Sequence, residues 1–376
     1  MNGCYIYYSN IDEKKPTGIQ KKILYQIETL KKYGNNCELF IIDSEKQSKY
    51  RYFLCKIPFI GRCYDKWVKL PELDKLDYFY IRRPSVFDKS FIEYFKKIKR
   101  EHPNIVIIVE LPTFPYDAEY GKSISGRFYQ YIDCKYRRSL YKVIDRFAVV
   151  AYSGDEMIWN IPVLPISNGI DLSKVKIRKR EQHDTINLLC IAYFSAWHGY
   201  DKVLKGVKKY YQKKTNKEVH ILMVGDGPEL KNYKHLVETN NLNDYVTFFG
   251  EINGDLDDIY SIADIGVCSL RSSDMGIQIS SQLKSREYLA RGLPIITAGD
   301  IDILQDTNFK YEFISHSDEV DIEKVVSFYI DKCHGGDECC TKEIRVFAEE
   351  YCSWDYGMET VINYLGLRQK DHKDYQ

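Results

Sequence analysis

The sequence predicts an α/β protein of two doubly wound units, each a parallel sheet with helices on both faces. Three observations predict it. Short apolar strands alternate with amphipathic helical stretches along most of the chain, as in parallel sheets joined by crossover helices. The alternation stops at the polar stretch from Ser173 to Asp184 and then restarts. The length, 376 residues with 44% hydrophobic content, suits two or three domains with sizeable cores.

The first unit opens with a strand from Tyr5 to Tyr8 and a loop through Pro16, Thr17 and Gly18. Ile19, Ile23, Ile27 and Leu30 then share one helical face, and Gly34 closes that helix. Buried strands are expected at Cys37–Ile42 and Tyr78–Ile81, followed by a helix around Phe91–Lys99. Asn104–Glu110 is a β-branched strand, Gly126–Ile144 a helix and Phe147–Val150 a strand. In the second unit, strands are expected at Ile186–Ile191, Val219–Val224, Val246–Phe249, Ile265–Cys268 and Pro294–Thr297. Helices separate them at Asp201–Tyr211, Glu229–Val237, Leu256–Ser261 and Ser281–Arg291. The polar stretch is read as the linker, giving units 1–172 and 173–352 with a cleft between the carboxyl ends of their sheets. Two helical stretches flank Cys352-Ser353-Trp354, and the last, about 353–376, is expected to cross back onto the first unit.

Bulk properties narrow the function. Lys+Arg and Asp+Glu are both 54, so no global field draws nucleic acid. The eleven Cys are odd in number and scattered, with Cys4, Cys37, Cys190 and Cys268 inside apolar strands, which implies a reducing cytoplasm. Cys333, His334, Cys339 and Cys340 form the one cluster, open to a metal site or to a loop between helices. Residues 1–10 lack the basic and apolar regions of a signal peptide, and no 18-residue apolar run suits a membrane span. Glu45–Lys69 carries seven Lys/Arg against two acids, interleaved with aromatics. That mixture suits an anionic membrane surface and equally a solvated segment packed on the first unit.

Two breaks look built for a nucleotide. Val224-Gly225-Asp226-Gly227-Pro228-Glu229 joins a strand to a helix, and Leu283 to Pro294 is a charged helix running into a Gly-Leu-Pro break. A strand end, a glycine turn and a helix N-terminus expose backbone N–H groups and a positive dipole end, which suits an anion. The glycines suit a tight turn as well, with Pro228 where no N–H is needed. Asp255-Leu256-Asp257 and Asp300-Ile301-Asp302 have the spacing to hold a divalent ion beside a sugar diphosphate. The first equally caps a helix.

The order of short motifs then carries a resemblance. Asn168-Gly169-Ile170-Asp171, His198-Gly199-Tyr200-Asp201, Gly225-Asp226-Gly227-Pro228-Glu229, Val246-Thr247-Phe248-Phe249-Gly250, Ala263-Asp264-Ile265-Gly266-Val267 and Arg286-Glu287-Tyr288-Leu289-Ala290-Arg291-Gly292-Leu293-Pro294 follow one another as in glycosyltransferase family 4. Tyr80-Ile81-Arg82-Arg83-Pro84 and Glu110 to Glu119 resemble a subgroup that builds bacterial surface polysaccharides. The resemblance implies the GT-B fold, two Rossmann-like domains facing a cleft. It implies a retaining transferase that moves a hexose from a nucleotide-diphosphate sugar to a glycan or polyprenyl-pyrophosphate-linked acceptor. It also implies no cofactor, no essential metal, and a place in the cytoplasm on the inner face of the cell membrane.

The resemblance assigns roles residue by residue. Glu287 matches the second Glu of the family's pair, whose carboxylate holds the ribose hydroxyls. The first would fall at Ile279 and is absent. The polar loop Ser272–Ser281 replaces it, with Gly276, Ser280 and Ser281 to cradle a diphosphate and Asp274 to grip the sugar. The family's phosphate-binding Arg and Lys are missing too. His198 stands at the Lys position, as a phosphate donor or as a satisfied loop histidine. Positive charge is then expected from Lys202, Lys284 or Arg286, with Lys284 neutralising the departing phosphate. Gly225, Gly227 and Gly250 would approach the nucleotide, and Gly18 the donor phosphate. Arg82 and Arg83 would bind an acceptor pyrophosphate. Asp117 stands near the reaction centre, where the family's usual His is not visible, with Glu119 beside it. Glu110 could equally satisfy backbone donors at a strand end. Two rival readings are an epimerase of nucleotide sugars on the same fold and a non-catalytic GT-B subunit.

Overall fold

The computed structural model describes residues 1–8, 17–42, 73–121, 123–213, 215, 217–252, 254–333 and 338–374. The basic-aromatic segment 45–69 and His334 lie outside them. The chain divides into one unit of Met1–Ser167 with Gly357–Gln376, and another of Asn168–Tyr356.

The first unit holds a seven-stranded sheet. Its strands are β1 (Asn2–Tyr7), β2 (Asn36–Ile41), β3 (Tyr78–Arg82), β4 (Val106–Leu111), β5 (Arg146–Val150), β6 (Met157–Ile158) and β7 (Ile161–Ile166). The order is β2-β1-β3-β4-β5-β7-β6, parallel throughout except for the β6–β7 hairpin. Trp159 and Asn160 turn that hairpin with φ of 49° and 64°, the primed geometry that matches strand twist. A two-residue strand shows no periodicity, which hid it in the sequence. The chain steps from β1 outward to β2, then back across to β3. The carboxyl ends of β1 and β3 therefore form a switch point, the place where such sheets bind ligands.

Among the described residues, three α-helices and a terminal helix belong to this unit. In α1 (Gly18–Lys32), Thr17 and Gln20 form a reciprocal capping box. Asp88 caps α2 (Lys89–Glu101), and Ser123 caps α3 (Ile124–Arg137). The expected helix 126–144 is thus shorter, giving way to a single tight turn at Leu140–Lys142. The terminal helix Glu359–Asp374 packs on this unit. Met358, Val361 and Leu365 are fully buried, and the Thr360 hydroxyl donates to the Pro165 carbonyl at 2.7 Å.

The second unit contains β8 (Ile186–Ile191), β9 (Val219–Val224), β10 (Val246–Gly250), β11 (Ile265–Val267), β12 (Ile279–Ser280), β13 (Ile295–Thr297), β14 (Asp300–Ile301) and β15 (Glu312–Ile314). The main sheet runs β10-β9-β8-β11-β13-β15, all parallel, and β12 pairs with β14 apart from it. Its helices are α4 (Asp201–Tyr211), α5 (Leu230–Thr239), α6 (Asp257–Ile262), α7 (Leu283–Ala290), α8 (Ile322–Cys333) and α9 (Glu338–Tyr351). Here the switch point is the parting of β8 from β11. Near it, Gly266 makes room for the Tyr288 ring, which an added Cβ would meet at 2.3 Å.

The expected linker is a correction. Ser173–Asp184 lies inside the second unit, whose boundaries fall after Ser167 and Tyr356 rather than at 172 and 352. Several of its charges have partners in the fold. Arg180 Nε donates to the fully buried Asp264 at 2.8 Å, and the Arg178 guanidinium donates to the Ala263 carbonyl. The Arg178 N–H donates to the Arg291 carbonyl at 3.0 Å. A linker composition is polar, but so is a strap whose charges are paired.

Candidate functional site

Tyr200, with His198 and Lys284 beside it, lies at the second switch point. Tyr200 sits where β8 and β11 part, its hydroxyl 3.2 Å from the Ile191 carbonyl and 3.3 Å from that of Val267. The same oxygen accepts from Lys284 Nζ at 2.9 Å, and that ammonium lies 5.2 Å from the ring centre. Burial pushes the Lys284 amine down to about 8, against the opposing pull of Cys268 and Cys190. The His198 ring stacks on Tyr200 at 5.6 Å, and the Ser195 N–H donates to its Nδ1 at 3.0 Å. An acceptor Nδ1 leaves the proton of the neutral ring on Nε2. Burial, and then the charge of Lys284, hold His198 down at about 3, so it is a neutral N–H donor through the physiological range.

Lys284 stands in the first turn of α7, whose N-cap residue Gln282 offers no side-chain cap. The Gln282 amide oxygen instead accepts from the Ser269 N–H at 2.7 Å. An ammonium, a neutral imidazole N–H and a helix start without a side-chain cap thus share the carboxyl edge of one sheet. Such an arrangement has the donors and charge that suit a phosphorylated anion. Beside it lies a pocket of about 240 Å³ lined by Ser269, Ser272, Gln278, Ser280, Gln282 and Asp300, with Gly276 in its wall.

Several expected donor residues are used otherwise. Arg286 is fully buried and donates to the Asn168 carbonyl at 3.1 Å, the Gln282 carbonyl at 3.1 Å and the Asp302 carboxylate. The Ser281 hydroxyl accepts from the Asn168 N–H at 2.9 Å and from Arg286 at 3.0 Å. Both hold the start of the unit against α7. Gly225 and Gly227 have φ of 129° and 141°, and a Cβ would meet the Ala192 carbonyl at 1.9 Å and Phe194 N at 2.5 Å. The backbone that approaches them is their own loop 192–194, and the tight-turn reading holds. Gly250 accepts from the Gly225 N–H at 2.7 Å. Asp274 lies 3.7 Å from Arg271, which also pairs with Asp201 at 2.7 Å. Lys202 is the second residue of α4, its carbonyl accepting from the Val320 N–H at 3.0 Å.

Glu287 lies 3.7 Å from Arg291, one turn on, with 38% of its side chain exposed. Arg291 also pairs with Asp257 at 2.5 Å, and Asp255 accepts from the Asp257 N–H at 3.0 Å. The first Asp-x-Asp therefore serves α6 and Arg291, and the second gives Asp302 to Arg286. Cys333 and Cys340 are buried and Cys339 is exposed. Among the described residues no group of three or more His, Cys, Asp or Glu side chains is placed to hold a metal ion.

In the first unit the carboxyl edge is organised by Glu110, which is fully buried. It pairs with Lys22 at 3.0 Å and Arg82 at 2.8 Å, and accepts from Gln26 at 2.8 Å and Tyr80 at 2.9 Å. Burial favours the neutral acid, but Lys22 and Arg82 outweigh it and hold the carboxyl at about 2. So Glu110 serves side chains rather than backbone donors. Two cations face one carboxylate, leaving this cluster net positive. Arg82 is committed inward, whereas Arg83 pairs with Glu119 and lies over the Tyr116 ring at 4.0 Å. Asp117 is bound to Arg137 at 2.8 Å. Gly18 is the first residue of α1, with open space beyond its Cα.

Sequence reasoning missed Tyr200, Lys22 and Gln26. Lys22 and Gln26 fall four residues apart on the same face as Ile19, Ile23, Ile27 and Leu30. Polar residues on a buried helical face were the available signal. Tyr200 had none, because one more tyrosine among 32 draws no attention.

Residues 173–321 match the family model described as Glycosyl transferases group 1. No curated protein matches the chain. The fold is similar to a glycosyltransferase from Rickettsia africae ESF-5, with a TM-score of 0.61 at 12% identity over 98% of both chains. It is similar to Anabaena Alr3699/HepE in complex with UDP, with a TM-score of 0.60 at 12% identity over 97% of this chain and 100% of that one. The lipopolysaccharide outer core galactosyltransferase WaaB, in its apo form, gives 0.62 at 11% identity over 98% and 100%. At such identities the likeness establishes the architecture, the two Rossmann-like units of GT-B. With a glycosyl transferases group 1 domain across residues 173–321 of that architecture, the chain is a glycosyltransferase enzyme.

Proposed function

We propose that the chain transfers a hexose, with retention, from a nucleoside-diphosphate sugar to a glycan or lipid-linked oligosaccharide in the synthesis of a surface polysaccharide. One observation carries the reading: the Lys284 ammonium, held on Tyr200 beside neutral His198, lies at the start of α7 on the sheet's switch point. Negative charge grows on the β-phosphate as the glycosidic bond breaks. A preorganised ammonium and a helix N-terminus stabilise that charge most where it is greatest. The leaving phosphate then takes the acceptor proton on the same face, which needs no protein base. Glu287, still accessible, is the residue we assign to the ribose hydroxyls. Support from outside the chain is that Anabaena HepE was solved with UDP and with UDP and glucose.

Lys284 and His198 also supply what a divalent ion would bring to the diphosphate, so donor binding is expected to survive a chelator. The free thiols of the described residues fit the reducing cytoplasm, facing a lipid-linked acceptor. The test is a thermal-shift panel of nucleoside-diphosphate sugars, with and without chelator. A donor at 100 times its Kd should stabilise the native state by roughly 2.7 kcal/mol. No stabilisation by any of them would remove the reading. Ile279, where the family's first Glu is missing, lies in β12. This keeps the non-catalytic subunit as a second reading, which donor hydrolysis by the lone chain would exclude. Conversion of the donor sugar without any acceptor would instead mark an epimerase.

A further inference from the structure

The pocket beside the start of α7 is small, and its charge is one-sided. At about 240 Å³ it falls below the roughly 300–1,000 Å³ of sites for drug-sized molecules, so it fits one sugar ring rather than a whole nucleotide sugar. Its free side chains are the hydroxyls of Ser272 and Ser273, the amide of Gln278 and the carboxylate of Asp300. Gln282 is already committed, accepting from the Ser269 N–H at 2.7 Å and donating to the Ser280 hydroxyl at 3.0 Å. Asp300 opens β14, and its pairing with Ile279 of β12 sets it at the pocket wall. The Ser280 hydroxyl donates to the Asp300 carbonyl at 3.3 Å. Among the described residues the Asp300 carboxylate has no ion-pair partner and accepts no hydrogen bond.

Among the described residues, no lysine, arginine or histidine lines this pocket. The cations on neighbouring segments are turned elsewhere. Arg271 pairs with Asp201 at 2.7 Å and lies 3.7 Å from Asp274. Arg286 is bound to the Asp302 carboxylate and the Asn168 carbonyl. Lys284 rests on the Tyr200 hydroxyl at 2.9 Å. A second carboxyl, Glu312, accepts from the Thr297 hydroxyl at 2.6 Å. Burial raises its pKa, against the Thr297 bond, and the nearby charge of Asp300 adds to the rise. The pocket therefore combines neutral donors and acceptors with an unneutralised negative charge. A carboxylate binds hydroxyls through strong, charge-assisted hydrogen bonds, and it repels a second carboxylate.

Resting on the transfer reaction proposed above, we infer that Asp300 makes the sugar pocket selective by charge, taking an uncharged hexose and excluding a hexuronic acid. The two kinds of sugar share the ring and differ at the exocyclic carbon, a hydroxymethyl group in one and a carboxylate in the other. The hydroxyls of a hexose donate to Asp300 and exchange hydrogen bonds with Ser272, Ser273 and Gln278. A hexuronate brings a like charge into a pocket whose lining offers no cation to offset it, and specificity of this kind comes from repulsion as much as from contact.

The experiment is calorimetry of the full chain with matched donors: UDP-glucose and UDP-glucuronate, UDP-galactose and UDP-galacturonate, GDP-mannose and GDP-mannuronate. In each pair that binds, the hexose member is expected to bind on the order of 100-fold more tightly, the scale of two like charges brought together. Asp300→Asn should narrow that gap to about tenfold or less, and Asp300→Lys should close or reverse it. A pocket that selects by size alone would show neither change. Circular dichroism checks that the variants are folded, and the wild-type ratio alone decides if they are not. A hexuronate bound as tightly as its hexose, or a gap that stays the same in both folded variants, would overturn the charge selection and leave the transfer reaction standing. Binding by no member of any pair would overturn both.

Discussion

Lys284 and Glu110 are two charged residues held in opposite ways. Lys284 loses part of its proton affinity to burial and gains its hold from Tyr200. Its folded value, about 8, lies below the usual lysine value, so the amine is charged below pH 8 and neutral above it. Donor affinity should therefore fall as pH rises through about 8, and calorimetry of a nucleoside diphosphate should show the fall. Lys284→Met should weaken that ligand by about 1.5–3 kcal/mol, the scale of a lost charged hydrogen bond, and abolish the pH dependence. Glu110 is the reverse case, held at about 2 against an ordinary 4.5. Its depressed value contributes stability that is present above 4.5 and lost as pH falls toward 2, on the order of 3 kcal/mol. Glu110→Gln should cost about that much at neutral pH in urea melts and flatten the acid limb.

The elements show what patterning reveals and what it hides. Many strands and helices of ordinary length were legible, because periods of 2 and 3.6 need only a few residues to declare themselves, but the six-residue β7 and the twelve-residue α8 were not anticipated. β9 falls on the expected residues Val219–Val224, and β8 on Ile186–Ile191. The two-residue strands β6, β12 and β14 were not legible. Nor was the role of Ser173–Asp184, since pairing to buried partners cannot be read from polarity. At the site, the sequence offered Lys284 and the glycine turn, and its tight-turn reading of the glycines agrees with the backbone their Cβ atoms would meet. Gly227→Ala would drive a Cβ against Phe194 and force a side chain into a φ of 141°. The cost should be about 2 kcal/mol or more in a denaturant melt. The loop through His198 should loosen with it, and weaker binding of a nucleoside diphosphate by this variant would report that. The structural part played by Arg286 was hidden for a related reason. A charged residue in a helix start looks like a ligand group until the chain that packs over it is known.

At the scale of the molecule, the alternation of strands and helices foretold two doubly wound units, but composition misplaced their border. Asn168 begins the second unit by gripping Ser281 and Arg286, and Ile170 bridges to Ser353 close to where the chain leaves it. Ser167 accordingly meets Gly357 at 2.9 Å as the chain re-enters the first unit. The second unit is thus one continuous stretch whose ends are neighbours, and the first is assembled from both flanks. Residues 168–356 expressed alone should unfold cooperatively in a calorimetric scan, whereas a chain ending at Tyr356 should leave β7 bare and bind hydrophobic dye. The two halves therefore mature in the opposite order to their start on the ribosome. The amino-terminal sheet emerges first, yet it must wait, lacking Met358, Val361 and Leu365, until the inserted unit has been made and the last helix arrives to close it.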